Sequence, residues 1–319
     1  LVCFTGSRAA ELESAALWRY AHPDARIVAG LQFGKLRQSP LFDLAKSLPA
    51  GTVSSEGFEF IEELDSVLIS APVGDSTQFL AALEGRFKLQ ELRERAVQEG
   101  AAATRYAGVE LIGGPISPGV QIYVAVIRPG CLLVGDSASV RAAIDRSRQV
   151  EKTVIGNAVL RRGRELADAY EIWVASDVPP GKLIKKKGST IPFADEIQGL
   201  EGGISIRDGL ALELALRTDT EESARSLAST LQGFVGIAAL QQQGNPPADL
   251  LRNVRIAASG SDVNVVFSAT SPQLAQALGE MTATVKTSAA PRVVSKPEPP
   301  KTIRIHGLEE GTREIPFSR

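Results

Sequence analysis

Apolar positions recur every second residue over several short stretches and every third or fourth over others, so the chain reads as strands interleaved with helices. Residues 25–33, carrying Ile27, Val28, Leu31 and Phe33, are predicted to form a strand, followed by Gly34-Lys35-Leu36. Ser39-Pro40 then opens a helix whose apolar face is Leu41, Leu44, Ala45 and Leu48. Residues 67–70 and 78–87 read as further strands. Leu89, Leu92 and Ala96 define one face of a helix that Gly100 is placed to end. Strands are expected at 109–112, 121–127 and 131–134. Asp136 then caps a helix with Val140, Ala143 and Ile144 facing inward.

The same order recurs in the second half. Residues 171–178 read as a strand followed by Gly181-Lys182-Leu183, and Phe193-Ala194-Asp195-Glu196-Ile197 resembles Phe60-Ile61-Glu62-Glu63-Leu64. Each of those runs leads into a strand, 203–206 in the second half. A strand at 210–217 precedes a helix opened by Asp219-Thr220-Glu221-Glu222, a capping-box pattern, and lined by Ala224, Leu227, Ala228, Leu231, Phe234, Val235 and Ala238. Strands at 254–259 and 263–268 are joined by Gly260-Ser261-Asp262. A closing helix follows Ser271-Pro272 and buries Leu274, Leu278 and Met281. Strands in adjacent pairs with short turns favour antiparallel hairpins. The expected fold is therefore α+β: two similar repeats, 10–150 and 151–285, each a mostly antiparallel sheet with helices packed on one face.

Both ends differ from this body. Residues 286–302 consist largely of Thr, Ser, Ala, Pro and Lys with little to bury and read as a semi-rigid linker. Within 303–319, Ile303 and Ile305 alternate with polar residues on one side of 307–311, and Ile315 and Phe317 do so on the other, which predicts a short hairpin. An isolated hairpin is marginal in water, so these four residues are a candidate partner-binding tail, docking on the chain's own body or adding a strand to another protein. At the other end, the apolar run at 1–4 is followed by Ser7 and Ala9, small residues at the spacing of a signal-peptidase site. Cleavage is expected at the Ala9–Ala10 bond, making 1–9 the tail of a signal peptide and the protein exported, periplasmic or extracellular. Cys3 is a poor lipid-anchor position because Val2 is larger than the Gly or Ala usual before it. No stretch reaches the ~20 apolar residues of a membrane span; residues 227–240 are interrupted by Ser229, Thr230, Gln232 and two glycines.

Composition narrows the chemistry. A chain of 319 residues accommodates about two domains. Its 35 Lys and Arg against 37 Asp and Glu argue against nucleic acid, which needs a strongly basic face. With two histidines and two cysteines, multi-histidine metal sites and cysteine clusters are excluded. Cys131, in an apolar strand, is expected to be a small buried hydrophobe, and Trp18 and Trp173 core aromatics. His22 precedes Pro23 at a turn, His306 lies in the tail, and no Gly-x-Ser-x-Gly occurs. The pairs Glu62/Glu63, Asp195/Glu196 and Glu309/Glu310 read as solvated edges, Glu221/Glu222 as helix capping. Gly113-Gly114-Pro115 lacks the backbone donors of a phosphate cradle, and Gly202-Gly203 stands just before a strand. No nucleotide or calcium motif is found, so no catalytic, cofactor or metal residue is nominated. One charge cluster stands out. Lys182 with Lys185, Lys186 and Lys187 replaces the Ser39-Pro40 helix of the first repeat and is a candidate contact for anionic lipid or a phosphorylated ligand.

The run 193–210, with Gly202-Gly203-Ile204 near its centre and Arg207-Asp208-Gly209-Leu210 at its end, resembles a segment of exported bacterial proteins of unknown function. So does Val134-Gly135-Asp136 leading into the Val140 helix. The resemblance implies export and an α+β fold and supplies no catalytic residues. The expected function is an exported cell-envelope binding or interaction protein without catalytic activity, its partner a protein or an apolar ligand. The alternative is a hydrolase-type enzyme with a site assembled from scattered Ser, Asp and Lys residues between the two repeats; a third reading makes one repeat a support for the other. An apolar groove favours the binder, and a groove holding an acid or lysine of shifted pKa favours the enzyme.

Overall fold

The structure, a computed structural model, describes residues 16–46, 62–72, 78–117, 120–148, 157–183, 193–241, 250–277, 302–305 and 313–316. Contacts divide the chain into two compact units, Leu1–Leu278 and Gly279–Arg319. The first opens with a short 3-10 turn, Trp18–Tyr20, then runs β1 (Ile27–Leu31), α1 (Phe33–Leu36), α2 (Pro40–Lys46), β2 (Leu64–Ala71) and β3 (Leu80–Gly85). Next come α3 (Leu89–Gln98), β4 (Ala102–Tyr106), β5 (Val109–Ser117), β6 (Val120–Arg128), β7 (Cys131–Gly135) and α4 (Ser137–Arg148). The second half continues with α5 (Ala158–Ala169), β8 (Ile172–Ser176), α6 (Pro180–Leu183), β9 (Ile197–Ser205) and β10 (Gly209–Thr218). It ends with α7 (Glu221–Gln241), β11 (Arg255–Ser259), β12 (Asp262–Thr270) and a helical stretch at 271–277.

These twelve strands form one sheet in the order β11-β12-β10-β9-β8-β1-β2-β3-β7-β6-β5-β4, and every pairing is antiparallel. The two halves of the chain meet at β1 and β8, where Ile27 lies opposite Ser176 and Leu31 opposite Ile172. In the second unit β13 (Thr302–Ile305) and β14 (Arg313–Pro316) pair with each other, Ile303 opposite Ile315. Phe317 and the linker lie outside the described residues. Among the described residues no helix is long and apolar enough to cross a membrane.

Helices cover both faces of the sheet, not one. Alternate residues of a strand point to opposite faces. On β3, Leu80 and Ala82 enter a core with Leu133, Val140 and Ile144 of β7 and α4, and Val159 and Leu160 of α5. Leu83 and Ala81 enter another, with Leu132 of β7, Phe33 of α1, and Leu89 and Leu92 of α3. The physical reason is in the strand itself: four consecutive apolar residues, Leu80 to Leu83, leave no side for water. A third core lies under α7, where Ala224, Leu227 and Ala228 pack on Leu216 and Val263.

Local signals account for most boundaries. Asp136 Oδ1 accepts from the Ser139 amide at 2.9 Å, so that expected cap forms. α7 is capped by Thr220, whose Oγ1 accepts from the Ser223 amide at 3.1 Å, so Ser223 and not Glu222 stands three residues after the cap. Gly100 adopts φ +84° just past α3. Other expectations change. The cap of the last helix is Thr270, not Ser271: its amide donates to Gln273 Oε1 at 2.9 Å, and its hydroxyl accepts from the Gln273 amide at 3.4 Å. β9 starts at Ile197, so Gly202 and Gly203 sit inside it, and a Cβ on Gly203 would run into the Tyr170 ring. Phe234 is half exposed, since the buried side chains of α7 all fall in its first half. Neither β4 nor α5 was expected. Asn157 caps α5 by accepting from the Val159 amide at 2.8 Å.

Candidate functional site

The site is a groove between α3 and the sheet. Six of the ten α3 residues are charged or amide-bearing neighbours of a narrow apolar face, Leu89, Leu92 and Ala96, and none of the helix is fully buried. Below it, Ile112 of β5 lies opposite Val124 of β6, and Gly114 opposite Ile122, so the three apolar side chains share one face. The helix does not close onto this face. A cleft of about 500 Å³ remains, its apolar walls formed by Phe87, Leu92, Ala96, Ile112, Ile122 and Val124.

Charged groups fix the helix and edge the cleft. Arg93 reaches across to β5, its Nη2 2.5 Å and its Nε 3.1 Å from Glu110 Oε2. The Arg93 hydrogen bonds hold the Glu110 carboxyl below its ordinary range against the opposing effect of burial, with the charges of Arg93 and Arg105 adding to them. At the lip, Lys88 Nζ lies 3.6 Å from Glu91 and 4.0 Å from Glu63. Arg95 also borders the cleft. It stands four residues from both Glu91 and Glu99, the spacing at which helical ion pairs form, yet pairs with neither among the described residues.

A second cleft, about 550 Å³ and polar, lies at one end of β9, β10 and β12, bordered by Ser205, Asp208, Asn253, Arg255 and Ser268. At the β1/β8 seam itself, Trp18 and Trp173 fill the α5 side, and the void beside them measures only about 10 Å³.

His22 lies at the turn before β1 and uses its ring locally. Its Nδ1 accepts from the Asp24 amide at 3.2 Å, while its backbone amide, not the imidazole, donates to Ser70 Oγ at 3.0 Å. Burial, and then the charge of Arg146, lower its pKa. Cys131 is buried, its pKa pushed up to about 11, chiefly by burial.

Of the residues nominated from sequence, Lys182 falls in α6, with its side chain outside the described residues; Lys185, Lys186 and Lys187 lie outside them too. Ile303, Ile305 and Ile315 fall in β13 and β14, and Phe317 lies outside. The groove residues were not nominated. The signal that could have found them is a mismatch: β5 and β6 carry more apolar surface on this face than the narrow stripe of α3 covers.

In class the molecule is a mixed α and β protein built on a large antiparallel sheet. No family model matches the chain, and no curated protein matches it. Among solved structures it is similar to the one titled "Structure of crystal form I of TP0453", at 10% identity and a TM-score of 0.45, over 82% of this chain and 95% of that one. At that level of likeness nothing is carried from TP0453 to this chain.

Proposed function

We propose that this chain is a non-catalytic binding protein of the cell envelope that holds an apolar ligand in the groove under α3. One observation carries the proposal: Leu92 and Ala96 face Ile112, Ile122 and Val124 across about 500 Å³ that no side chain fills among the described residues. Leaving apolar surface wet forgoes roughly 25 cal/mol for each Å² that could be buried. A ligand chain in the gap recovers that burial, and a concave apolar site with a few polar groups at its edge is the usual form of a small-molecule site.

Export, read from residues 1–9, belongs to the same proposal. So does internal duplication. Outward from the β1/β8 pair, β1, β2, β3, β7 and β6 on one side answer to β8, β9, β10, β12 and β11 on the other, an order that supports two copies of one unit. In that reading the β4–β5 hairpin is an addition to the first copy, and α3 is the shorter counterpart of α7. The hairpin of β13 and β14 then serves to capture a protein partner.

The test is calorimetric titration of the full chain with dodecanol. Saturable binding is expected, weakened at least about tenfold, some 1.4 kcal/mol, by Leu92→Glu and likewise by Ala96→Glu. Ala96 lies outside the Leu83–Leu132 core that Leu92 also touches, so its variant separates lost binding from lost packing. Absence of saturable binding, or binding indifferent to Leu92→Glu, overturns the proposal.

A further inference from the structure

Resting on the reading of the α3 groove as a ligand site, we infer that its ligand is a single-chain amphiphile with an anionic head, and that Arg95 receives the head.

The cations of α3 and its cap residue divide by what they touch. Lys88 faces Glu91 and Glu63, and Arg93 is committed to Glu110. Arg95 alone of these three makes no ion pair among the described residues, though Glu91 and Glu99 stand one helical turn away on either side. Arg95 borders the cleft, beside the apolar walls. A guanidinium is planar and matches a carboxylate or phosphate oxygen pair with two parallel hydrogen bonds. Filling the groove with a hydrocarbon chain displaces water next to Arg95, which strengthens its attraction for an anion brought in on the same molecule.

The rim also argues against a cationic head. Two of the nearby acids, Glu63 and Glu91, already face Lys88. The third, Glu99, is the C-cap residue of α3 and lies beside the Arg95 turn, so a cation there meets the guanidinium as well. A neutral head gains from neither charge. The chemistry that uses the unpaired cation and the apolar walls together is an alkyl chain ending in an oxyanion.

The experiment compares dodecanoate, dodecanol and dodecylamine, each below its micelle concentration, on the full chain by calorimetry. The parent is expected to bind dodecanoate about tenfold more tightly than dodecanol, the scale of one charge-assisted hydrogen-bonded pair, and dodecylamine most weakly. Arg95→Gln, at an exposed position, should erase the advantage of the acid while leaving dodecanol unchanged, and Arg95→Lys should restore part of it. Equal binding of acid and alcohol to the parent, an acid advantage that survives Arg95→Gln, or preference for the amine overturns the head-group assignment while leaving the groove in place. Failure of all three chains to bind overturns the groove itself.

Discussion

Trp18 and Trp173 stack with ring centroids 5.5 Å apart and planes 10° from parallel. One comes from the turn before β1 and the other from β8, so the pair closes one face of the seam at which the two halves of the sheet join. Two glycines make room for it. A Cβ on Gly30 would run into the Trp173 ring, and one on Gly163 of α5 would lie 2.7 Å from Val28 Cγ1 and 2.9 Å from Trp173 Cζ3. Both tryptophans of the chain thus lie where its halves meet.

The glycines of α5 and α7 should respond to the same substitution with opposite signs. Gly163→Ala gains about 1 kcal/mol of helix propensity but forces a methyl into an occupied space, an overpacking cost of about 1–3 kcal/mol. A net loss of up to about 2 kcal/mol is expected. Gly233 and Gly236 have open space where a Cβ would go, so Gly233→Ala and Gly236→Ala should each stabilise by about 0.5–1 kcal/mol. Urea midpoints of the three variants check this; a stabilised Gly163→Ala would mean that the tryptophan stack yields easily.

Glu171 should make stability depend on acid. Its side chain is 1% exposed, accepting from the Ile206 amide at 3.0 Å and from Arg207 Nε at 2.8 Å. Burial alone would push this carboxyl up, but the Arg207 hydrogen bond, the Ile206 amide and the Arg207 charge outweigh it and hold the pKa below the ordinary value. Stability from this group is therefore complete above about pH 4.3, the unfolded value, and is lost as pH falls through the lower folded value. Glu171→Gln should cost about 2 kcal/mol at neutral pH, the scale of a buried hydrogen bond to a charged group, and flatten the urea midpoint below about pH 4.3. An unchanged acid slope would contradict the assignment.

These features differ in how far they can be read from sequence, and the reasons are physical. The run Leu80 to Leu83 carries its two-sided burial openly, and the caps at Asp136 and Thr220 depend only on neighbours two or three residues away. By contrast, Ala102-Ala103-Thr104-Arg105-Tyr106 has no apolar alternation. It is an edge strand, mostly exposed, whose pairing with β5 is decided by the turn at Ala107-Gly108, both at positive φ. Gly202-Gly203 resembles a break in a strand until Tyr170, outside β9, is seen to cover it. The groove leaves only the mismatch between the apolar faces of β5 and β6 and the narrow stripe of α3 as its trace in the sequence. It arises from how far α3 stands from β5 and β6, a distance set in part by the Arg93–Glu110 pair. That Arg95 pairs with neither Glu91 nor Glu99 is invisible in the sequence, because these neighbours are the ones that would ordinarily pair with it.

Cys131 should be chemically silent in the folded protein. It is 1% exposed, and burial first, then the nearby Glu84 carboxylate, push its pKa up to about 11 against the pull of Arg128. Roughly one thiol in a thousand is then ionised at pH 8, and the thiolate is the reactive form. In a Cys3→Ser background, labelling by an aromatic disulfide should proceed only through unfolding, with a rate that stops rising as reagent is added. Fast labelling in proportion to reagent would show that the strand opens locally.

His22 should set a second and separate pH window. Burial lowers its pKa, the positive charge of Arg146 lowers it further, and Asp24 and Asp136 oppose them. The folded chain therefore resists taking a proton that the unfolded chain accepts below about pH 6.5. Stability should decline as pH falls from about 6.5 toward the lower folded value and level off beneath it. That window lies above the one governed by Glu171, so a single series of urea midpoints separates the two. His22→Asn keeps an acceptor for the Asp24 amide while removing the titration. It should retain the parent's midpoint near pH 7.5 to within about 1 kcal/mol and lose its decline toward pH 5.5. A decline that persists in His22→Asn would assign the titration to another group, and a variant already unstable at pH 7.5 would mean that the imidazole is needed for packing as well as for the turn.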